Sequence, residues 1–399
     1  MNNSHKLSTS QVFKIFLKLG LTSFGGPVAH LAYFHDEFVV RRKTLSEDTY
    51  ADLVALCQFL PGPASSQVGI GIGISQGGIR GALAAWTGFT LPSALVLMLF
   101  GYSVMSLQGT VTHAGWLHGL KIAAVAVVAL AIWGMAKTLT PDRPRGTVAI
   151  LAALLVLVWP TAWGQIAAIL LGGLAGLLLL RVDTFSQYSA LDIPIRRSTA
   201  IVSLSLFAIL LFGIPTLSGS VHSHTIALID SFYRTGSLVF GGGHVVLPLL
   251  QTAVVSPGWI SKDMFLVGYG AAQAVPGPLF TFSAYLGTVM QPAPSGWTGG
   301  VICLIFIFLP SFLLLIGILP FWEKLGKEPT VRRALTGVNA AVVGLLLAAF
   351  YNPVWTSGIL SVHDFILSLI AFGLLFLWKT PPWLVVFVTA LGGALVSLL

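Results

Sequence analysis

Charged side chains are scarce in this chain: Asp, Glu, Lys and Arg occupy only 9% of its 399 positions, whereas 56% are hydrophobic. A soluble core cannot absorb that much apolar surface, so the composition excludes a soluble globular protein and fits a polytopic membrane protein. Cysteine is nearly absent. Cys57 and Cys303 stand in apolar surroundings with no partner spacing, which argues against a disulfide or metal pair and reads both as small core residues. No Gly-rich loop ending in Lys-Ser/Thr is present, so direct ATP drive is not expected, and nothing calls for a cofactor. The stretch Met1 to Gln11 is polar and lacks an apolar run with a small-residue cleavage site, so no cleaved signal peptide is expected.

What the chain does have is apolar length. Leu83 to Val104, Ile122 to Ala136, Ile166 to Leu180, Ile201 to Ile214, Val301 to Leu319, Ala334 to Phe350, Phe365 to Trp378 and Trp383 to Leu399 are the clearest membrane-buried stretches. The net charge of +8 comes from basic residues scattered singly or in short clusters such as Arg41-Arg42-Lys43 and Arg196-Arg197. Such clusters fit cytoplasmic loops better than a nucleic-acid surface.

Two apolar stretches contain a break that a spanning helix should not have. Pro61, Gly62 and Pro63 interrupt the first, and Pro276, Gly277 and Pro278 the second. Proline removes a backbone donor and glycine loosens the chain; in hydrocarbon, such backbone is tolerated only where protein buries it or where it lines a watery cavity.

The breaks belong to a duplication. Phe16 to Leu31 and Phe232 to Leu247, about 216 positions apart, share Lys18 with Arg234, Gly20 with Gly236 and Phe24-Gly25-Gly26 with Phe240-Gly241-Gly242. The match continues through Leu45 to Asp48 with Ile260 to Asp263, Leu91-Pro92-Ser93 with Leu309-Pro310-Ser311, and Ala124 to Val128 with Asn339 to Val343. The expected organisation is a first transporter repeat at 1–181, a linker and extra transmembrane helix at 182–217, and a second repeat at 218–399.

Loop charge sets the relative orientation of the copies. Arg41, Arg42 and Lys43 face a counterpart carrying only Lys262. In the next pair Gln108 to Gly119 has no Lys or Arg, whereas its counterpart holds Lys324, Lys327, Arg332 and Arg333. Arg143 and Arg145 then face the uncharged Asn352 to Val362. This alternation predicts inverted repeats. The extra helix, Thr199 to Ile214, supplies the odd crossing that inversion needs, and the count closes if the Phe-Gly-Gly and Pro-Gly-Pro segments are re-entrant hairpins. A model of full crossings stays open, because glycine and proline also occur in ordinary transmembrane helices. The fold class expected is thus an all-α polytopic membrane protein of two inverted repeats with broken helices.

A helix beginning after Pro63 would aim its free amides and positive dipole end at the gap, a setting for an anion, with Ser65, Ser66 and Gln67 as neutral donors. Its counterpart, with Gln273 before the break and Pro278 to Thr281 after it, is poorer in polar groups. A simple packing kink is the bland alternative. Consecutive amides at Phe24-Gly25-Gly26-Pro27 and Phe240-Gly241-Gly242-Gly243-His244 can form an anion nest or, equally, close helix packing. Lys18 and Arg234 are the symmetric basic candidates for holding an anion, against snorkelling as the alternative. Asp52, Asp230, Glu37 and His244 are the ionisable groups near the breaks, available for coupling transport to protons. Lys121 reads as an interface residue, and His113, His118, His222 and His224 as surface residues. His222-x-His224 alone is a weak metal signal, so no metal site is expected.

Several runs resemble the chromate ion transporter family: Phe-Gly-Gly-Pro followed by His35 to Phe38, Cys57 to Gln67, Phe-Gly-Gly-Gly-His, and Gln273 to Phe282. The resemblance covers nearly the whole chain, in the family's long two-domain form. It implies a multi-pass exporter in the bacterial inner membrane, driven by the proton motive force, that removes chromate from the cytoplasm and confers chromate resistance. By motif position it points to Phe24 to Pro27, Pro61 to Pro63, Phe240 to Gly243 and Pro276 to Pro278. Sulfate has the same charge and tetrahedral shape, so an importer or exchanger of sulfate is the nearest rival, followed by a passive anion channel. An enzyme would need a carboxylate cluster, a metal-ligand set or a redox cysteine pair, and the chain offers dispersed acids and two isolated cysteines. The expected partners are the oxyanion and the bilayer, without nucleic acid; the sequence leaves a homodimer open.

Overall fold

The computed structural model describes residues 6–106, 115–180, 195–221, 223–240 and 243–396. Gly241, Gly242, His113, His222, most of the Gln108 to Gly119 loop and most of the Arg181 to Arg197 linker lie outside the described residues. Among the described residues every regular element is helical. The first copy supplies α1 (Thr9–Thr22), α2 (Gly26–His35), α3 (Glu47–Phe59), α4 (Ala64–Ser106), α5 (Gly115–Leu139), α6 (Arg143–Val158) and α7 (Ala162–Leu179). The extra helix α8 (Arg197–Ser220) follows. The second copy runs α9 (His224–Leu238), α10 (Val246–Leu250), α11 (Lys262–Ala274), α12 (Phe282–Val289), α13 (Gly296–Ile318), α14 (Trp322–Lys327), α15 (Pro329–Ala349), α16 (Thr356–Gly358), α17 (Val362–Phe376) and α18 (Pro382–Val396). Among the described residues, six helical segments are long and apolar enough to cross a membrane, built on α4, α5, α7, α8, α13 and α15.

The duplication is preserved in local geometry. The Ser46 hydroxyl caps α3 by accepting from Thr49 N at 3.2 Å, and Ser261 caps α11 in the same way from Met264 N at 3.2 Å. A π-helical turn follows α2 at Asp36–Arg41, and its counterpart follows α10 at Gln251–Val255. In the first copy α4 bends at Gly77-Gly78, where Gly78 has φ +59°. The same point of the second copy is the gap between α12 and α13.

The chain reverses at each of the four broken motifs. Around Phe-Gly-Gly of the first copy, Phe16 lies 5.4 Å from Phe34 and 5.3 Å from Phe38, ring to ring. Around the second, His224 and Trp259 meet edge to face, ring centroids 4.6 Å apart. Leu53 packs at Gly71 across the first Pro-Gly-Pro. Across the second, the Tyr285 hydroxyl donates to the Met264 carbonyl at 2.9 Å. The four broken segments are therefore helical hairpins. With 13 residues, α3 by itself is only about 20 Å long, too short to span ~30 Å of hydrocarbon.

The two copies exchange their last helices. α6 and α7 of the first copy pack on α15 of the second, while α17 and α18 pack on α5 of the first. Small residues permit the close approach: Gly172 and Gly176 meet Gly337, and Gly119 and Gly393 meet across α5 and α18. The pairings also fix direction. His118 pairs with Asp364 at 3.0 Å at the beginnings of α5 and α17, and Trp133 meets Phe376 at 6.2 Å near their ends, so these helices run parallel. α6 and α15 are parallel too: Gly344 abuts Ala149 at one end, and Leu157 shares a groove with Tyr351 and Trp355 at the other. Only Thr140 to Asp142 separate α5 from α6, and Gly358, past the end of α15, abuts Lys121 and Val125 near the start of α5, so α5 runs against both α6 and α15. It follows that α5 opposes its counterpart α15, and the repeats are inverted.

Candidate functional site

The four breaks converge in two reciprocal pairs. The Gly62 amide of the first Pro-Gly-Pro donates to the Val239 carbonyl, next to Phe240, at 2.6 Å. The Gly277 amide of the second Pro-Gly-Pro donates to the Ser23 carbonyl, next to Phe24, at 3.0 Å. Glycine is required at both positions, with φ +124° at Gly62 and +104° at Gly277. Each glycine also abuts the Leu-Pro-Ser serine of the other copy, Gly62 at Ser311 and Gly277 at Ser93. Every junction is thus built from both repeats.

At the Gly277 junction a cavity of about 160 Å³ is lined by Ser23, Gly25, Gly26, Pro27, His244, Gln273 and Gly277, with an apolar wall from α5, α17 and α18. Its polar groups are mainly donors. The open amides at the start of α2 carry the positive dipole end. The Ser23 hydroxyl and the Gln273 Nε2 are buried and have no hydrogen-bond partner. His244 Nδ1 lies 2.8 Å from the Tyr269 hydroxyl, which leaves Nε2 for the cavity. Phe24 flanks this junction, its ring 6.3 Å from Trp383.

At the Gly62 junction, Ser66 Oγ, Gln67 Oε1 and Ser311 Oγ are likewise buried without partners. Gln67 Nε2 donates to the Pro61 carbonyl at 2.7 Å, holding the turn closed. Ser65 is bound instead to His30, 1% exposed, whose Nδ1 lies 3.3 Å from the Ser65 hydroxyl and whose Nε2 lies 3.2 Å from the Ser23 carbonyl. A carbonyl only accepts, so Nε2 carries the proton and Nδ1 accepts from Ser65. One imidazole therefore ties the first turn of α4 to the carbonyl that also receives Gly277. Unpaired buried polar atoms cost about 1–3 kcal/mol each, and among the described residues five of the ten such atoms lie at these two junctions.

The remaining candidates fall elsewhere. The Thr281 hydroxyl donates to Pro278 O at 2.8 Å, and Pro63, Pro276 and Pro278 shape the turns. Glu37 is held by Arg41 at 2.8 Å and Arg42 at 2.6 Å, inside its own π-helical turn. Asp52 is buried on α3 and does not line the Gly277 cavity. Lys18 is exposed on α1. Arg234 pairs with Asp230 on α9, lining a different cavity. Lys121 pairs with Asp263 across the repeats at 3.0 Å. Sequence reasoning did not single out His30, Ser93, Ser311, Tyr269 or Gln165 for a site. The two serines carried a signal in their matched Leu-Pro-Ser motifs; His30 carried none beyond being a histidine in an apolar helix. Among the described residues no three His, Cys, Asp or Glu side chains are grouped to hold a metal.

Inverted, interlocked repeats whose broken helices meet around a small donor-lined cavity define a multi-pass membrane transporter. The chromate transporter family model matches the chain twice, at residues 10–177 and 226–394. The chain belongs to that family, in its long two-domain form, and is a multi-pass protein of the bacterial inner membrane. It is 28% identical to a probable chromate transport protein of Synechococcus elongatus over 97% of this chain and 95% of the relative. It is also 28% identical to the chromate transport protein of Pseudomonas aeruginosa, over 97% of this chain and 91% of the relative. The uncharacterized transporter YwrA of Bacillus subtilis, 28% identical over 182 residues, covers 44% of this chain and 99% of its own length, the size of one repeat. No solved structure matches the chain.

Proposed function

We infer that this protein is a secondary active transporter that exports chromate from the bacterial cytoplasm, uses the proton motive force and so confers chromate resistance. The carrying observation is the donor-lined cavity at the Gly277 junction, where Phe24 to Pro27 of one repeat meet Gln273, Pro276, Gly277 and Pro278 of the other. A tetrahedral oxyanion presents acceptors on every side and suits α2 amides, the Ser23 hydroxyl and the Gln273 amide. Neutral donors hold an anion without trapping it. The Gly62 junction, with Pro61 to Pro63, Ser66, Gln67 and Phe240, is the counterpart through which the ion leaves when the two copies rock against each other. An inside-negative potential favours departure of an anion by about 2.3 kcal/mol per charge per 100 mV, which drives export without a nucleotide.

The test is chromate accumulation in cells lacking other chromate transporters. Cells expressing the protein should hold less chromate and grow at higher external chromate than cells with an empty vector. Equal or greater accumulation would overturn export and favour uptake.

A further inference from the structure

Asp230 and Arg234 form an ion pair one turn apart on α9 and, among the described residues, are the only charged ones lining a second cavity, of about 300 Å³. Gln165 of α7, Thr252 of the Gln251–Val255 turn, Ser231 and Thr235 supply its polar wall, and Trp259 closes one side. Gln165 spans from the Pro248 carbonyl at 3.0 Å to the Thr252 hydroxyl at 2.7 Å, which fixes that wall. The Asp230 side chain is 9% exposed and that of Arg234 31% exposed. Only the guanidinium reaches well into the open space.

The first copy lacks this arrangement. The positions matching Asp230 and Arg234 are Lys14 and Lys18, both exposed. Packing of the repeat therefore does not demand the pair, and its presence on α9 alone is a specialisation of the second copy. The cavity rests against the start of α7, whereas the Gly277 cavity rests against the α17–α18 turn. In inverted repeats these ends face opposite sides of the membrane, so the two cavities lie toward opposite faces.

We propose that Arg234 is a second oxyanion station, and that Asp230, which holds its guanidinium in place, binds a proton when an anion arrives beside it. The argument rests on the oxyanion reading above. Asp230 takes one guanidinium nitrogen, Nη2, of Arg234, which leaves further N–H donors of the fork for an oxyanion. An anion on the remaining donors puts a second negative charge beside a buried carboxylate. Taking one proton on a carboxylate oxygen removes the carboxylate's own charge, and only an O–H bond forms. The anion and the proton then occupy the station together, and Asp230 gives the proton up when the anion departs.

Among the described residues no other titratable group lines the cavity. α8 and α13 contribute no charged residue there; their titratable groups are Arg197 at the far end of α8 and Cys303 within α13. α10 and the Gln251–Val255 turn are uncharged. On α9 itself, His224 lies against Trp259 and the Tyr233 hydroxyl donates to the Phe207 carbonyl.

The test uses the full protein in proteoliposomes, measuring exchange of labelled sulfate and, in parallel, labelled chromate with the same pH on both sides. Sulfate stays fully ionised across the range, so any pH dependence belongs to the protein. The unaltered protein should exchange faster as pH falls, and Asp230→Asn should exchange at a rate independent of pH. Arg234→Gln should lower exchange about tenfold or more at every pH, with partial recovery in Arg234→Lys. Asp230→Glu, which keeps the acid, should retain pH dependence with a shifted midpoint and serves if Asp230→Asn does not insert. A pH-independent unaltered protein, a pH-dependent Asp230→Asn or an Asp230→Glu profile identical to the original would overturn the proposal. Absence of any exchange by the unaltered protein would overturn the oxyanion reading itself, and this proposal with it.

Discussion

The Gly62 amide of one repeat and the Val239 carbonyl of the other lie 2.6 Å apart, and the bond between Gly277 and Ser23 repeats that relationship in reverse. Neither broken segment is complete within its own copy. A Cβ at Gly62 would meet Ser311 Oγ and Gln67 Nε2 at 2.6 Å, and one at Gly277 would meet Ser93 Oγ at 2.9 Å. The positive φ adds about 1–3 kcal/mol of strain for any other residue. Gly62→Ala and Gly277→Ala are each expected to lower transport about tenfold or more. Vesicle uptake, normalised to protein in the membrane, measures this, and rates equal to the unaltered protein would remove the junctions from the mechanism.

His30 joins the two junctions through Ser65 and Ser23. His30→Leu keeps comparable bulk and loses both hydrogen bonds, each worth about 0.5–1.5 kcal/mol, so transport should fall about five- to tenfold. His30→Gln, able to donate and accept, should recover part of it. Equal rates in all three proteins would make His30 a packing residue.

Inverted copies place equivalent loops on opposite faces. Single cysteines near Arg42 and near Lys262 should react with a membrane-impermeant maleimide from opposite sides. Cys57 and Cys303 are buried and free, which keeps the background low. Labelling of both positions from one side would contradict the helix directions derived from α5, α6 and α15.

Gly20 and Gly236 sit against the backbone of Phe89 and Ile307, where α1 meets α4 and α9 meets α13. Leucine at either position overpacks a contact with no slack, at a cost of about 1–3 kcal/mol or more. Gly134, with open space around it, tolerates the same change. Size-exclusion profiles of detergent-extracted protein should show loss of the folded peak for Gly20→Leu and Gly236→Leu, with Gly134→Leu retaining it.

The duplication, the broken helices and their inversion are legible in the sequence because each leaves a local mark: matched motifs, proline beside glycine, and loop charge. The exchange of α6 and α7 for α17 and α18 leaves none, since similarity groups residues by copy and not by neighbour. Lys18 and Arg234 look like one symmetric pair in an alignment, yet they have different surroundings. The distinguishing mark was one turn away, where Asp230 of the second copy stands in place of Lys14. Glu37 looks like a free acid near a break, but the two arginines that follow it fold back to hold it.

The most direct test of the account is uptake of labelled chromate by inverted membrane vesicles containing the protein, energised by respiration, with excess sulfate as competitor and an uncoupler as control. The account predicts accumulation that the uncoupler abolishes and sulfate reduces. No accumulation above vesicles lacking the protein, with the protein shown to be folded and inserted, would contradict active chromate export.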